Sequence, residues 1–202
     1  MKLYYSPGAC SLSPHIVLRE AGLDFTPVLA STKSKKLADG TDFNLINPKS
    51  QVPVLEFDSG ERLTEGPAIV QYIADQAPKS GLAPAAGTMA RYRLMEWLNF
   101  ITSELHKGFS PLFDPAVPED AKVVFRAKLG KRFAWVDEQL EGHDYLMGDT
   151  FTAADAYLFT VSRWAQYVGV DLSHLKRLAA YRERVAARPK VQEAMKAEGL
   201  LK

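Results

Sequence analysis

A single cysteine, Cys10, carries all the thiol chemistry available to this 202-residue chain. That scarcity excludes an intramolecular disulfide and any metal site built on paired cysteines. An excess of one charge is also missing. Lys and Arg number 25 against 24 Asp and Glu, a formal net charge of +1, with no long run of either sign. Phosphate binding normally leaves a basic footprint, so nucleic acid is not the expected partner. No apolar stretch approaches the roughly 20 residues of a membrane span. The opening residues Met1–Pro7 lack the long apolar core of a signal peptide. These absences together predict a soluble cytoplasmic protein with no membrane partner and no metal, in which a lone thiol stays reduced.

What is present centres on Tyr5-Ser6-Pro7-Gly8-Ala9-Cys10-Ser11-Leu12-Ser13-Pro14. A short strand over Met1–Tyr5 hands over here to a helix. Pro7-Gly8 supplies the turn. Ser11 or Ser13 can cap the helix, and Pro14 fits a first turn whose amides lack intrahelical partners anyway. Cys10 then sits beside the positive end of a helix, where a thiolate, its own or a ligand's, is favoured. A lone cysteine in an arbitrary protein is most often a small buried hydrophobe. The turn and helix start weigh against that reading.

Residues 1–77 read as alternating strands and helices. A helix over Ser11–Ala21 buries Ile16, Val17 and Leu18 and stops at Gly22. Phe25–Leu29 reads as a strand that Pro27 confines to a sheet edge. Ala30–Ser50 is a polar excursion with helical turns near Lys35–Leu37 and Thr41–Leu45, and such loops often carry ligand contacts. Val52–Phe57 and Glu61–Thr64 form a hairpin about Asp58-Ser59-Gly60. A helix follows through Gln76, with Ile69, Val70, Ile73 and Ala74 at helical spacing. Residues 78–88 hold prolines and glycines without periodicity and read as a linker.

Everything from residue 89 to 202 reads as helix. Met89–Phe109 is long and amphipathic, and the prolines of Ser110–Pro118 are expected to break it. Glu119–Leu140 is a second long helix. Thr152-Ala153-Ala154-Asp155 opens a third, running to about Val168. There Thr152 caps free amides while Asp155 reaches back, an arrangement in which Thr152→Ala would cost about 1 kcal/mol. Leu172–Ala187 and Lys190–Glu198 complete the set, separated at Pro189.

Four motifs occur in register: Pro7-Gly8-Ala9-Cys10-Ser11, Asn47-Pro48-Lys49-Ser50-Gln51-Val52-Pro53-Val54-Leu55, Leu63-Thr64-Glu65-Gly66-Pro67-Ala68-Ile69 and Thr152-Ala153-Ala154-Asp155. Each alone is weak. As a set spanning essentially the whole chain, they resemble a cytosolic glutathione S-transferase, most similar to the bacterial beta class. The resemblance implies an α/β thioredoxin-like N-terminal domain (1–77) that binds glutathione. It also implies an all-α C-terminal helical bundle (89–202) that contributes a pocket for an electrophile. A homodimer is implied as well.

The resemblance also assigns roles. Cys10 faces the glutathione sulfur, either donating a hydrogen bond to it or forming a mixed disulfide with it. Val52-Pro53 is expected to be cis, although X–Pro bonds are cis only about 5–6% of the time. Val52 then pairs with glutathione's cysteinyl backbone like an added strand. Glu65 and the amide of Gly66, at a helix start, take the γ-glutamyl ammonium and carboxylate. Many relatives carry Ser where Gly66 stands, and losing that hydroxyl would cost about 1.5–3 kcal/mol. Lys35 pairs with the glycyl carboxylate; by default it is a solvated charge in Lys33-Ser34-Lys35-Lys36.

Asn99, Ser103 and His106 are spaced to share one helix face. Such a stripe is ordinarily only solvated, and a lone His is ordinarily not catalytic. By resemblance Asn99, Ser103, Glu104 and His106 belong to the glutathione site, and His106 moves a proton or holds water near the sulfur. Lys107, Phe109, Phe113 and Trp164 are assigned to the electrophile pocket, although aromatic spacing fits core packing equally well. The reaction implied is attack of the glutathione thiolate on a small apolar electrophile. Two alternatives stay open: thiol–disulfide exchange or reductive dehalogenation through Cys10, and a non-catalytic binding module.

Overall fold

The computed structural model describes residues 1–201. Its contacts divide the chain into two compact units, one of Met1–Ala83 joined by the described residues from Arg188 onward, the other of Pro84–Ala187.

The first unit is built on a four-stranded sheet in the order β2-β1-β3-β4. β1 (Lys2–Tyr5) lies parallel to β2 (Thr26–Leu29) and antiparallel to β3 (Val54–Glu56), which pairs antiparallel with β4 (Arg62–Thr64). Pro27 lies on the edge strand, where its missing N–H breaks no ladder. Period-two alternation divides the sheet's side chains. Tyr4 and Val54, register partners, form one core cluster with Ala30, Phe43 and Val52. Leu3 and Leu55 point to the opposite face and are fully buried there.

α1 (Leu12–Ala21) packs against α2 (Gly66–Gln76). α1 ends at Gly22 in the left-handed region (φ 67°), as its lack of a Cβ allows. The excursion after β2 holds a short 3-10 turn at Phe43–Leu45. The expected helical turn at Lys35–Leu37 does not form. Ala30 bridges Leu37 and Lys36 bridges Asp42 instead, because burying Phe43 in the core draws the loop back over itself.

α8 (Pro189–Ala197) belongs to this first unit, where the sequence grouped it with the helical domain. It packs along α1, and Arg188 makes a two-pronged ion pair with Glu20. Amphipathic periodicity shows that α8 buries a face; it does not show against which partner.

The second unit is helical. α3 (Met89–Phe100) continues through a π-helical turn (Ile101–His106) into α4 (Lys107–Phe113). The break expected at Ser110 therefore arrives only at Asp114. Pro111 sits inside α4 and forgoes a single backbone bond near the helix end, which the packing of Leu112 and Phe109 tolerates. α5 spans Glu119–Gln139 and α6 spans Ala153–Ser162, followed by a 3-10 stretch at Arg163–Tyr167; α7 is Lys176–Ala186.

Asp155, fully buried at the start of α6, organises this unit. One carboxylate oxygen accepts from the Thr152 N–H and hydroxyl at 2.8 and 2.9 Å, the other from the Leu146 N–H at 2.9 Å and the Tyr181 hydroxyl at 3.2 Å. Burial pushes its pKa up to about 6 despite these donors. Among the described residues, no helix is long and apolar enough to cross a membrane.

Candidate functional site

The first unit holds one set of candidate residues. Ser6 through Ser11 form a closed turn between β1 and α1. Ser11 does not cap α1. Its hydroxyl oxygen accepts the Ser6 N–H (3.0 Å) and its proton is directed at the Ser6 carbonyl (3.2 Å), so it locks the turn shut. Gly8 has φ 70°, a conformation that favours glycine, and a Cβ there would stand 3.5 Å from Leu200. Its N–H donates to Glu198 (2.9 Å).

The other Glu198 oxygen lies 2.8 Å from His15 Nδ1, both side chains being fully buried. Arg19 Nε donates to His15 Nε2 (3.1 Å), so the imidazole proton resides on Nδ1 and Glu198 accepts it. Burial, and next the Glu198 carboxylate, push the neighbouring Tyr5 phenol up. The C-terminal segment thus buttresses the turn that carries Cys10.

Cys10 is half-buried at the end of that turn, and its thiol donates to the Val52 carbonyl at 3.2 Å. The Val52-Pro53 bond is cis, as the family resemblance implies. Cys10, Val52 and Pro53 are therefore brought together.

Lys35 and Glu65 share a conformational signature. Both are non-glycine residues with positive φ, 57° and 69°, as is Ser50 with 56°. Such backbones are costly and cluster at functional sites. Lys35 Nζ donates to the Ser50 carbonyl at 3.2 Å, which brings the middle of the excursion to the residues just before Val52. Glu65 stands at the N-cap of α2, and its carbonyl accepts the Ala68 and Ile69 amides at 3.0 Å. Its carboxylate is exposed and pairs with Lys49, which also donates to Thr64. At Gly66 nothing lies within 4 Å of where a Cβ would be.

The second unit holds the other candidate residues. The π-helical turn changes the helix phase within the stripe expected for Asn99, Ser103 and His106. Asn99 and Ser103 are exposed, with the Ser103 hydroxyl turned back onto the Asn99 carbonyl (3.1 Å). Glu104 accepts from Arg132 Nε (2.7 Å).

His106 is half-buried. Its Nδ1 lies 2.6 Å from the Tyr157 hydroxyl, and its ring meets Trp164 edge-on with centroids 4.9 Å apart. Trp164 also touches Phe109 and Phe113. Phe109 is wholly buried and packs on Phe133, so it supports this aromatic group from within. Phe113 is 50% exposed and Lys107 is exposed, so these two offer surface to a ligand.

Four residues in these contacts carried no signal of their own in the sequence: His15, Lys49, Tyr157 and Glu198. Each acts through a partner distant in the chain, from 16 residues for Lys49 and Glu65 to 183 for His15 and Glu198. The placement of His15 four residues before Arg19 on α1 was the one local hint.

Comparison with known proteins gives these geometries a context. The family model described as Glutathione S-transferase, N-terminal domain, matches residues 1–75, and that described as Glutathione S-transferase, C-terminal domain, matches residues 100–189. The chain is 51% identical over 200 residues to the Glutathione S-transferase GstA of Escherichia coli O157:H7, covering 99% of this chain and 100% of that protein. Among solved structures, a ternary complex of BphK, a bacterial glutathione S-transferase, superposes with TM-score 0.97 at 56% identity, over 99% of this chain and 100% of that one. A sphingomonad glutathione S-transferase complexed with glutathione gives TM-score 0.95 at 49% identity over the full length of both chains. A bacterial beta class enzyme from Sphingomonas chungbukensis gives 0.96 at 47%, again over both full lengths.

Proposed function

The chain belongs to the glutathione S-transferase family, and from that premise we propose that it conjugates the glutathione thiolate to small apolar electrophiles. The observation that carries the mechanism is the Cys10 thiol held 3.2 Å from the Val52 carbonyl, on a locked turn at the start of α1. Glutathione's thiol resembles free cysteine, with a pKa of about 8.5, so little is ionised at neutral pH. Donors at a helix start favour the thiolate and raise the nucleophile's population. A carbonyl acceptor stabilises Cys10 as a thiol rather than a thiolate, and that single proton turns from Val52 to the ligand sulfur when glutathione binds, which supports Cys10 as a donor over Cys10 as the attacking group.

In this reading glutathione lies against Val52, with its backbone paired to that residue. Glu65 and the Gly66 amide take its γ-glutamyl end and Lys35 its glycyl carboxylate. Asn99, Ser103, Glu104 and His106 complete the glutathione set, and Lys107, Phe113 and Trp164, backed by Phe109, receive the electrophile. A role in detoxification in the cytoplasm follows from such substrates. The exposed apolar residues Met89, Tyr92 and Met95 on α3 support assembly as a homodimer, which light scattering would measure.

The test is the rate of thioether formation with an aryl halide. We expect it to require glutathione, and Cys10→Ala to retain part of it. An equal rate without glutathione would overturn the proposal, and complete loss in Cys10→Ala with a Cys10–glutathione adduct in the wild type would favour disulfide exchange.

A further inference from the structure

We propose that Arg126 is a positioning residue that sets electrophile binding by anchoring the end of the helical segment that carries Trp164. Arg126 lies on α5, which Glu119 opens. Its Nε donates to the Val168 carbonyl at 2.8 Å, and its Nη1 lies 2.6 Å from Glu119 Oε1. One planar guanidinium thus ties the first turns of α5 to the residue that closes the 3-10 stretch Arg163–Tyr167.

The position of that bond gives it leverage. α6 and the 3-10 stretch follow one another directly from Ala153 to Tyr167. Asp155 anchors the start of this segment through the Thr152 and Leu146 amides. Carbonyls in a last turn lack intrahelical partners, and a cation there also meets the negative end of the helix dipole. Arg126 supplies both a donor and a charge, four residues beyond Trp164. Gly169 follows with φ 70°, a left-handed backbone that turns the chain back so that the Val170 N–H donates to the Ala165 carbonyl at 3.0 Å.

The anchored segment carries one wall of the aromatic group. Trp164 meets Phe113 with centroids 6.1 Å apart and His106 at 4.9 Å. Tyr167, three residues on, leaves a 3-10 turn on the same side as Trp164 and is 66% exposed. Phe109 and Phe113 form the other wall, on α4, which packs against α5. α5 is therefore the common frame, and the spacing of the two walls follows from where Arg126 holds the segment. The inference rests on the reading of Trp164 and Phe113 as the residues that receive the electrophile.

The first readout is the indole N–H spectrum of the full chain labelled with nitrogen-15 tryptophan, without ligand, with Trp164 assigned by Trp164→Phe. Arg126→Met is expected to shift the Trp164 signal. The signals of Trp97 and Trp135, which pack on each other and on Phe100, should stay in place. Arg126→Lys should shift the Trp164 signal in the same direction but less, because an ammonium does not reproduce the fork that holds carbonyl and carboxylate together. A Trp164 signal unmoved in both variants overturns the proposal, and Arg126→Lys, the gentler change, decides alone should Arg126→Met not accumulate.

The second readout is kinetic. With glutathione and an aryl halide, Arg126→Met is expected to raise KM for the halide about fivefold, with KM for glutathione unchanged and Arg126→Lys between the two. Equal rises in both KM values would mark a general loss of structure and overturn the proposal. Trp164→Phe separates it from the reading it rests on. If Trp164→Phe leaves the halide KM unchanged, that reading of the pocket falls; if Trp164→Phe raises it and Arg126→Met does not, the role of Arg126 falls alone.

Discussion

The two units hold their candidate residues by different means. In the first, the backbone does the holding. Cys10 follows a turn locked by Ser11, Val52 precedes a cis proline, and Lys35 and Glu65 have left-handed backbones. In the second, side chains hold side chains. Tyr157 meets His106, Arg132 meets Glu104, and Trp164 meets His106, Phe109 and Phe113. Backbone devices are local and rigid, so a binding site for an invariant ligand such as glutathione suits them. Side-chain pairs can be exchanged one at a time, and a pocket built on them can change its ligand without changing its fold.

The largest expected effect tests how far the second unit depends on a single side chain. Asp155→Ala leaves the Thr152 and Leu146 amides and the Thr152 hydroxyl without their buried acceptor, while the Tyr181 hydroxyl keeps the residue-155 backbone carbonyl at 3.1 Å. We expect a loss of about 3–5 kcal/mol at pH 7, measured by urea denaturation. A loss below about 1 kcal/mol would mean the helices hold without it and the comparison fails on that side.

Next in size is Gly66→Ser, aimed at the backbone-built half. The position has open space and no left-handed φ, so a side chain fits without strain. A hydroxyl there should tighten glutathione binding by up to about 1.5–3 kcal/mol, read by calorimetry. No gain would mean the Gly66 amide already saturates the ligand's carboxylate.

The contrast between the halves also explains what the sequence made legible. The turn at Cys10, the Glu65-Gly66 helix start and the Thr152–Asp155 box are each encoded within a few residues and were readable, whereas the cis Val52-Pro53 bond was legible only through the family resemblance. The docking of α8 on α1 was not readable, because Glu198, Leu200 and Arg188 reach partners more than 160 residues away. The π-helical turn was hidden for another reason. Residues 101–106, Ile-Thr-Ser-Glu-Leu-His, suit an α-helix as well, and an extra residue in one turn is fixed by packing rather than by propensity. Its effect was to detach His106 from the stripe of Asn99 and Ser103. Ser11 shows a third reason: a serine at a helix start can serve the helix or the turn before it, and only geometry decides.

A smaller effect sharpens the picture of Asp155 through pH. Its carboxyl has a native pKa of about 6, against about 3.9 in an unfolded chain. Between these values the native state holds more protons than the unfolded state, so stability from this group falls as pH rises. It is fully present below about pH 4 and is lost through pH 6. The cost of Asp155→Ala should therefore be about 1 kcal/mol greater at pH 5 than at pH 7, with all other titrations cancelling in the difference between the two proteins. A cost that instead shrinks at pH 5 would show that the four donors outweigh burial.

The smallest expected effect bears on Lys49, a side chain that holds a candidate residue in the backbone-built unit. Its side chain is 48% exposed and that of Glu65 67%. An exposed pair of this kind contributes at most about 0.5 kcal/mol and is weakened by salt. If the φ of 69° and the start of α2 suffice to direct Glu65, Lys49→Ala leaves the urea midpoint and the KM for glutathione nearly unchanged. Glu65→Ala, by contrast, should raise KM about tenfold or more, the loss of one charged hydrogen bond. A Lys49→Ala enzyme with KM raised tenfold would place a side-chain pair at the centre of the first half, and the division of labour between the two units would no longer hold.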